Sequence, residues 1–400
     1  MQLNESGGHV QKRAAGLSAL LLLAAVVLGG CATAPEPAYR AGDSAKAKID
    51  PDSLILSGRL FGATDADLEV HDADILAVDE DMVRFVNEKT SWVRSSDAKL
   101  HQLLRGMVTK GLLSLEYDPH ITHTARETFH SYTGNCLSFT NLFVALAREA
   151  GLDVKFQMVD IPPEWLGNER LVILNNHINV RVRTKQRRDY VVDFNIDDYK
   201  GNYPKRLVSD DYALALYYSN MAVKYLTEGD NAKTFAYLRK SIQTYPRIPG
   251  PWINLGVLYS RHGAYDEAEA AYRKALKLDH SNKSALTNLA SLFETKGDRE
   301  AANFYQRRVR YYRERNPYYH FWLARQSLAV EDYAGSLQHI HRALQLKQDE
   351  HQFYHLQALA YFRSGNTEAA KASLVKANKY VQFEELKKKY NRKIAALGGS

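Results

Sequence analysis

Cysteine is nearly missing from this chain, with two in 400 residues, Cys31 and Cys136. Cys31 closes an apolar leader, so maturation leaves Cys136 as an interior thiol that cannot form an internal disulfide. No apolar run is long enough to span a bilayer comfortably. The longest, Ala14 to Leu28, has about 15 residues against roughly 20 for a spanning helix. Strong charge of one sign is also missing. The net charge is +7, and Lys12, Arg13 and Glu5 of the leader account for +1 of it. A mild excess without a recognition motif excludes nucleic acid as the expected partner. Phosphate-cradling and dinucleotide glycine motifs are lacking, so no cofactor is expected. What remains is ordinary globular material, 45% hydrophobic and 25% charged, enough for two or three domains with proper cores.

Residues 1–30 read as a processing segment. Lys12-Arg13 supplies its positive end, and Leu28-Gly29-Gly30-Cys31 follows the apolar run. This ending resembles the bacterial lipoprotein box, which implies a lipid on Cys31 and membrane attachment through it. Ala32 after that cysteine, where Asp is absent, implies the outer membrane facing the periplasm, with the inner membrane's periplasmic side as the alternative. Residues 31–53 are rich in Ala and Pro, lack aliphatic periodicity and are expected to form a tether. Fully extended, it reaches at most about 70 Å.

The C-terminal half repeats every 34 residues. Ala222, Gly256, Ala290, Ala324 and Ala358 share one phase, all small. Thr234, Ala268, Ala302, Ser336 and Ala370 share a second. Gly229, Gly263, Gly297 and Gly365 mark the turn between them, with Glu331 the exception. Aromatics hold another phase at Tyr225, Tyr259, Phe293 and Tyr361. Small residues let paired helices approach and glycine ends the first of each pair, so the pattern predicts an all-α solenoid. Trp252-Ile-Asn-Leu-Gly256-Val-Leu-Tyr259, followed by Ala268, Tyr272 and Ala275, resembles the tetratricopeptide repeat. Five repeats over 215–384 and a capping helix with tail over 385–400 are expected. The resemblance implies a groove that takes a protein or peptide. The basic run Arg307-Arg308-Val-Arg310, with Arg313 and Arg315, reads as a solvated face.

Between tether and repeats, residues 54–205 form an α+β unit. Helical spacing runs from Leu76 to Trp92 and from Ala98 to Leu115, and a third helix should begin near Cys136 and stop at Gly151. Alternation then takes over, with Val154, Phe156 and Met158 on one strand face, Ile178, Val180 and Val182 on another, and Val191-Val192 opening a third. A thiol at a helix start meets N–H groups and a dipole that favour the thiolate. A histidine, His177, and an aspartate, Asp193, follow on strands; Asp197 and Asp198 lie close enough in sequence to compete for the second role. Asp118, His120, His123 and His130 read as a polar loop rather than a zinc site.

Thr124-Ala125-Arg126-Glu127-Thr128, Gly134-Asn135-Cys136 and Ala145-Leu-Ala-Arg148-Glu-Ala-Gly151, with His177 and Asp193 in order, resemble the transglutaminase-like (papain-like cysteine) superfamily. The resemblance implies a Cys136–His177–Asp193 triad for acyl transfer or hydrolysis at peptide or protein amide bonds, as a peptidase, amidase or acyltransferase. Two departures stand out. His130 occupies the place where papain-like enzymes often carry the oxyanion Gln, and Asn179 stands two residues beyond the histidine where an aromatic is frequent. The alternative expectation is a repeat scaffold whose catalytic domain is vestigial.

Overall fold

The computed structural model describes residues 55–61, 68–109, 116–161, 164–166, 171–173, 176–185, 187–194, 203–381 and 384–397. The leader, Cys31 and most of the tether lie outside them. No described helix is long and apolar enough to cross a membrane.

The α+β domain opens with α1 (Glu80–Thr90), shorter than the apolar spacing suggested, and α2 (Ser96–Thr109), which starts two residues earlier than expected and ends where the described residues stop. Asp79 caps α1 by accepting from the Met82 N–H, which sets its start, and Trp92 lies past its end, two-thirds exposed. A short pair follows, β1 (Glu116–Tyr117) beside β2 (Thr133–Gly134), with α3 (Ala125–Ser131) between them. Then α4 (Cys136–Glu149) leads into the strands. The main sheet is antiparallel, in the order β7 (Asp189–Val192), β6 (Asn176–Arg183), β3 (Asp153–Asp160), β8 (Lys205–Val208). A small separate hairpin joins β4 (Glu164–Leu166) to β5 (Leu171–Ile173).

Leu142, Phe143 and Leu146 of α4 join Phe156, Met158, Ile178, Val180 and Val192 of the sheet in one core. α4 is apolar nearly all round because α1, α2 and α3 cover its other sides. The sheet continues through Val208, beyond the expected boundary at 205.

The repeats are five helical hairpins. They comprise α5 (Asp210–Glu228) with α6 (Asn231–Thr244), α7 (Pro249–Arg261) with α8 (Tyr265–Leu278), and α9 (Lys283–Thr295) with α10 (Arg299–Glu314). The last two pair α11 (Pro317–Ala329) with α12 (Tyr333–Leu346), and α13 (His351–Arg363) with α14 (Thr367–Tyr380). α15 (Glu384–Ala396) covers the end. Both small-residue phases are buried at every repeat. The four turn glycines have φ between +73° and +85°, and Glu331 is driven to +61° at the same position. The hairpin geometry therefore holds even where the sequence withholds glycine.

The first repeat begins at Asp210 rather than Ala215, because Ser209 caps α5 by accepting from the Tyr212 N–H. Its early residues Tyr212, Ala213 and Ala215 belong to the α+β core, and Asp210 takes a bidentate ion pair from Arg148 of α4. The described residues of 55–61 and 68–70, expected with the α+β domain, instead pack on the repeats. Ile55, Leu68 and Phe61 join their core, the Tyr259 hydroxyl donates to the Ile55 carbonyl, and Phe61 sits 5.2 Å from Phe235. At the far end, Tyr354, Ala358 and Leu374 pack with Val159 of β3 and with Tyr203. The solenoid thus meets the α+β domain at both of its ends.

Candidate functional site

The turn before α4 is built from Gly134, Asn135 and Ser138. Gly134 has φ +146°, and a Cβ there would lie 2.6 Å from the Ser138 Cβ, so only glycine fits. The Asn135 side chain accepts from the Ser138 N–H at 3.1 Å, and the Ser138 hydroxyl sits 3.3 Å from the Asn135 N–H in a reciprocal cap. Asn135 also donates through Nδ2 to Thr122 Oγ1 at 2.6 Å, and Ser138 Oγ accepts from the His123 N–H. These bonds hold the helix start rigid and place Cys136, partly buried, as its first residue. The Cys136 and Leu137 N–H groups fall in the turn where a helix has no carbonyls of its own to offer them.

His177 lies near the start of β6, opposite Val159 of β3. Its Nε2 donates to Asp193, 2.7 Å from Oδ2 and 2.8 Å from Oδ1, and both side chains are over 90% buried. The Cys136 side chain lies close enough to act on the ring and favours its charged form. Burial works against a charged imidazole, but the Asp193 charge and hydrogen bond outweigh it, and Cys136 adds to them. The His177 pKa is raised to about 10. Of the three residues expected to form a triad, His177 and Asp193 are hydrogen-bonded and Cys136 lies near enough to influence the imidazole. Asp197 and Asp198 lie outside the described residues.

Asn179, noted in the sequence only as a departure from the usual aromatic, belongs to this arrangement. It is fully buried, lies two residues from His177 on the same face of β6, and donates through Nδ2 to Asp193 Oδ2 at 2.9 Å. The period of two in a strand and a polar residue between Ile178 and Val180 were the available signal. Asp193 is therefore held by two donors. Lys205 of β8, drawn below the ordinary lysine range by burial, feels the Asp193 charge as a counter-influence. Phe194 turns the other way, its ring tilted about 6 Å from those of Phe139 and Phe143 on α4, and so fixes the chain on which Asp193 sits.

His130 is not part of the site. Its Nε2 is 2.8 Å from Asp79 Oδ2 at the surface, a pairing that also lowers the Asp79 pKa against the effect of burial. Asp118 accepts from the His120 N–H, and His123 Nδ1 lies 3.2 Å from Ser131 Oγ, so the polar loop is tied by local bonds. Among the described residues no group of three or more His, Cys, Asp or Glu is placed to hold a metal ion.

Residues 84–193 match the Transglutaminase-like superfamily, and residues 251–282 and 351–380 each match the Tetratricopeptide repeat. No curated protein matches the chain. Among solved structures, the crystal structure of MamA protein is similar at 20% identity, covering 44% of this chain and 94% of that one, with a TM-score of 0.24. MamA from Desulfovibrio magneticus RS-1 is similar at 17% identity over 43% and 96%, with a TM-score of 0.25. YrrB, described as a TPR protein with an unusual peptide-binding site, is similar at 17% identity over 43% and 89%, with a TM-score of 0.24. Scores this low leave the solenoid resting on its 34-residue phase, its helical hairpins and the two repeat matches.

Proposed function

Since the chain joins a transglutaminase-like domain at residues 84–193 to tetratricopeptide repeats, we propose that it performs thiol-dependent acyl chemistry on an amide bond of a peptide or protein. The observation that supports this reading is the buried His177, hydrogen-bonded to Asp193 and close enough to Cys136 for that side chain to favour the charged imidazole. The Cys136 sulfur attacks the amide carbonyl carbon, the carbon–nitrogen bond breaks, and His177 protonates the departing amine. Water or an amine then attacks the thioester, gives its proton to His177 and releases the thiol. Asp193 keeps Nε2 protonated and stabilises the imidazolium, as Asn179 holds Asp193 in place. The Cys136 backbone N–H at the helix start is the oxyanion donor of this scheme. Hydrolysis is favoured over cross-linking. The repeats supply the protein or peptide-binding surface, and a lipid on Cys31 would hold the molecule at the periplasmic face of the outer membrane.

The deciding experiment incubates purified protein with amide-bearing peptides and follows amine release and thioester formation by mass spectrometry. Wild type should form an adduct 1:1 on Cys136, and Cys136→Ala none. A second reading, a protein-interaction scaffold with a vestigial domain, is favoured by one observation: His130 is bound to Asp79 and supplies no oxyanion donor. Absence of any adduct across acyl donors would select it.

A further inference from the structure

The last repeats and the capping helix enclose a groove that the acyl chemistry does not use. It lies between α11, α13 and α15 and has a volume of about 710 Å³. Its floor is apolar, formed by Phe321, Leu356 and Leu386, while Arg325, Lys389 and Arg392 stand exposed along its walls. Among the described residues no acidic side chain lines it. A second, almost wholly apolar trough of about 270 Å³ adjoins it, floored by Leu359, Leu374 and Leu397, with Phe362 half exposed on its rim. His355 and Lys393 line both, so the two meet at these residues. Lys393 Nζ is 2.7 Å from His355 Nε2, and burial together with the Lys393 and His351 charges pushes the His355 pKa down to about 4. The neutral ring therefore accepts from the ammonium and fixes that cation at the junction.

An apolar floor with exposed cations along its walls is complementary to a ligand that is anionic along its backbone path and apolar at one side chain. We propose that this groove binds an acidic peptide segment carrying one large apolar side chain, which enters the trough while its carboxylates meet Arg325, Lys389 and Arg392. The inference rests on the repeats serving as the peptide-binding surface and adds where on them, and what chemistry, is recognised. It does not depend on the reactivity of Cys136.

The test uses the full chain in detergent and a fluorescent peptide with two acidic residues on each side of one Phe, read by anisotropy. A peptide with Lys in place of each acid, one with Gly in place of Phe, and dodecanoate as competitor are the comparison probes. Wild type should bind the acidic peptide at least tenfold more tightly than either altered peptide, and more weakly as salt rises. Arg325→Glu combined with Lys389→Glu should weaken it at least tenfold, and Phe362→Ser at least threefold. Both changes are at exposed positions, and circular dichroism should be unchanged. Cys136→Ser should bind like wild type, so loss of acyl chemistry and loss of peptide binding are separately visible. Equal binding of acidic and basic peptides, retention of affinity in the charge-reversed protein, or displacement by dodecanoate as efficient as by unlabelled peptide would overturn the proposal.

Discussion

Replacing Gly256 by Ala should destabilise the repeats, although alanine is the better helix former. The residue sits inside α7, where Gly→Ala alone gains about 1 kcal/mol of helix propensity. The structure opposes that gain. A Cβ at 256 would lie 2.5 Å from Tyr272 Cε1, 2.6 Å from Cδ1 and 2.9 Å from Cζ, well inside contact distance. The Tyr272 ring belongs to the helix that pairs with α7 and is only 3% exposed, so it has no solvent to swing into. Overpacking of this kind costs roughly 1–3 kcal/mol, and with the propensity gain subtracted a net loss of about 1 kcal/mol remains. Urea denaturation should show it as a midpoint lowered by a few tenths of a molar unit. In a Tyr272→Leu background the clash is removed, and the same substitution should become neutral or stabilising. A stabilisation by Gly256→Ala in the otherwise native chain would mean that the two helices do not touch there and that the repeat register is misplaced.

Glu331 holds φ +61° where its counterparts are glycine, so Glu331→Gly should raise stability by about 1 kcal/mol in thermal melts while Glu331→Ala should not. His177 has a folded pKa raised to about 10 from 6.5. The stability from its pairing is therefore complete below about pH 6.5 and lost as pH climbs through 10. Asp193→Asn should accordingly cost more stability at pH 6 than at pH 10 in denaturant titrations, and equal losses at the two values would rule out an imidazolium–carboxylate pair. Mature protein should begin at Cys31 carrying acyl chains, seen by mass spectrometry of its N-terminal peptide, and Cys31→Ser should abolish the lipid.

The solenoid was legible because small residues, turn glycines and aromatics recur in fixed phase, and steric demand at a helix–helix contact leaves little freedom at Ala222 or Ala290. Gly134-Asn135-Cys136 was legible for a similar reason, since each residue answers a local requirement of the turn. Longer-range features were not. α3 is too short for periodicity to announce it, although its Thr124–Glu127 capping box was present. Ile55, Phe61 and Leu68 are apolar without specifying a surface, and nothing local told that they cover α6 and α7 rather than the sheet. The Asn179–Asp193 bond depends on the pairing of β6 with β7, and His130 finds Asp79 across 51 residues. The return of the last repeats to Val159 and Tyr203 is set by accumulated curvature, which no single repeat encodes.

Alkylation of Cys136 in the presence and absence of its proposed partner tests the central claim most directly. Iodoacetamide should modify Cys136 in wild type at pH 6 to 7 faster than a free thiol reacts, as a nucleophile paired with His177 requires. His177→Ala should slow the reaction at pH 7 at least tenfold, with the far-ultraviolet circular dichroism unchanged. An unchanged rate in the folded His177→Ala protein would show that the two side chains do not act together, and the acyl-transfer account would fall to the scaffold reading.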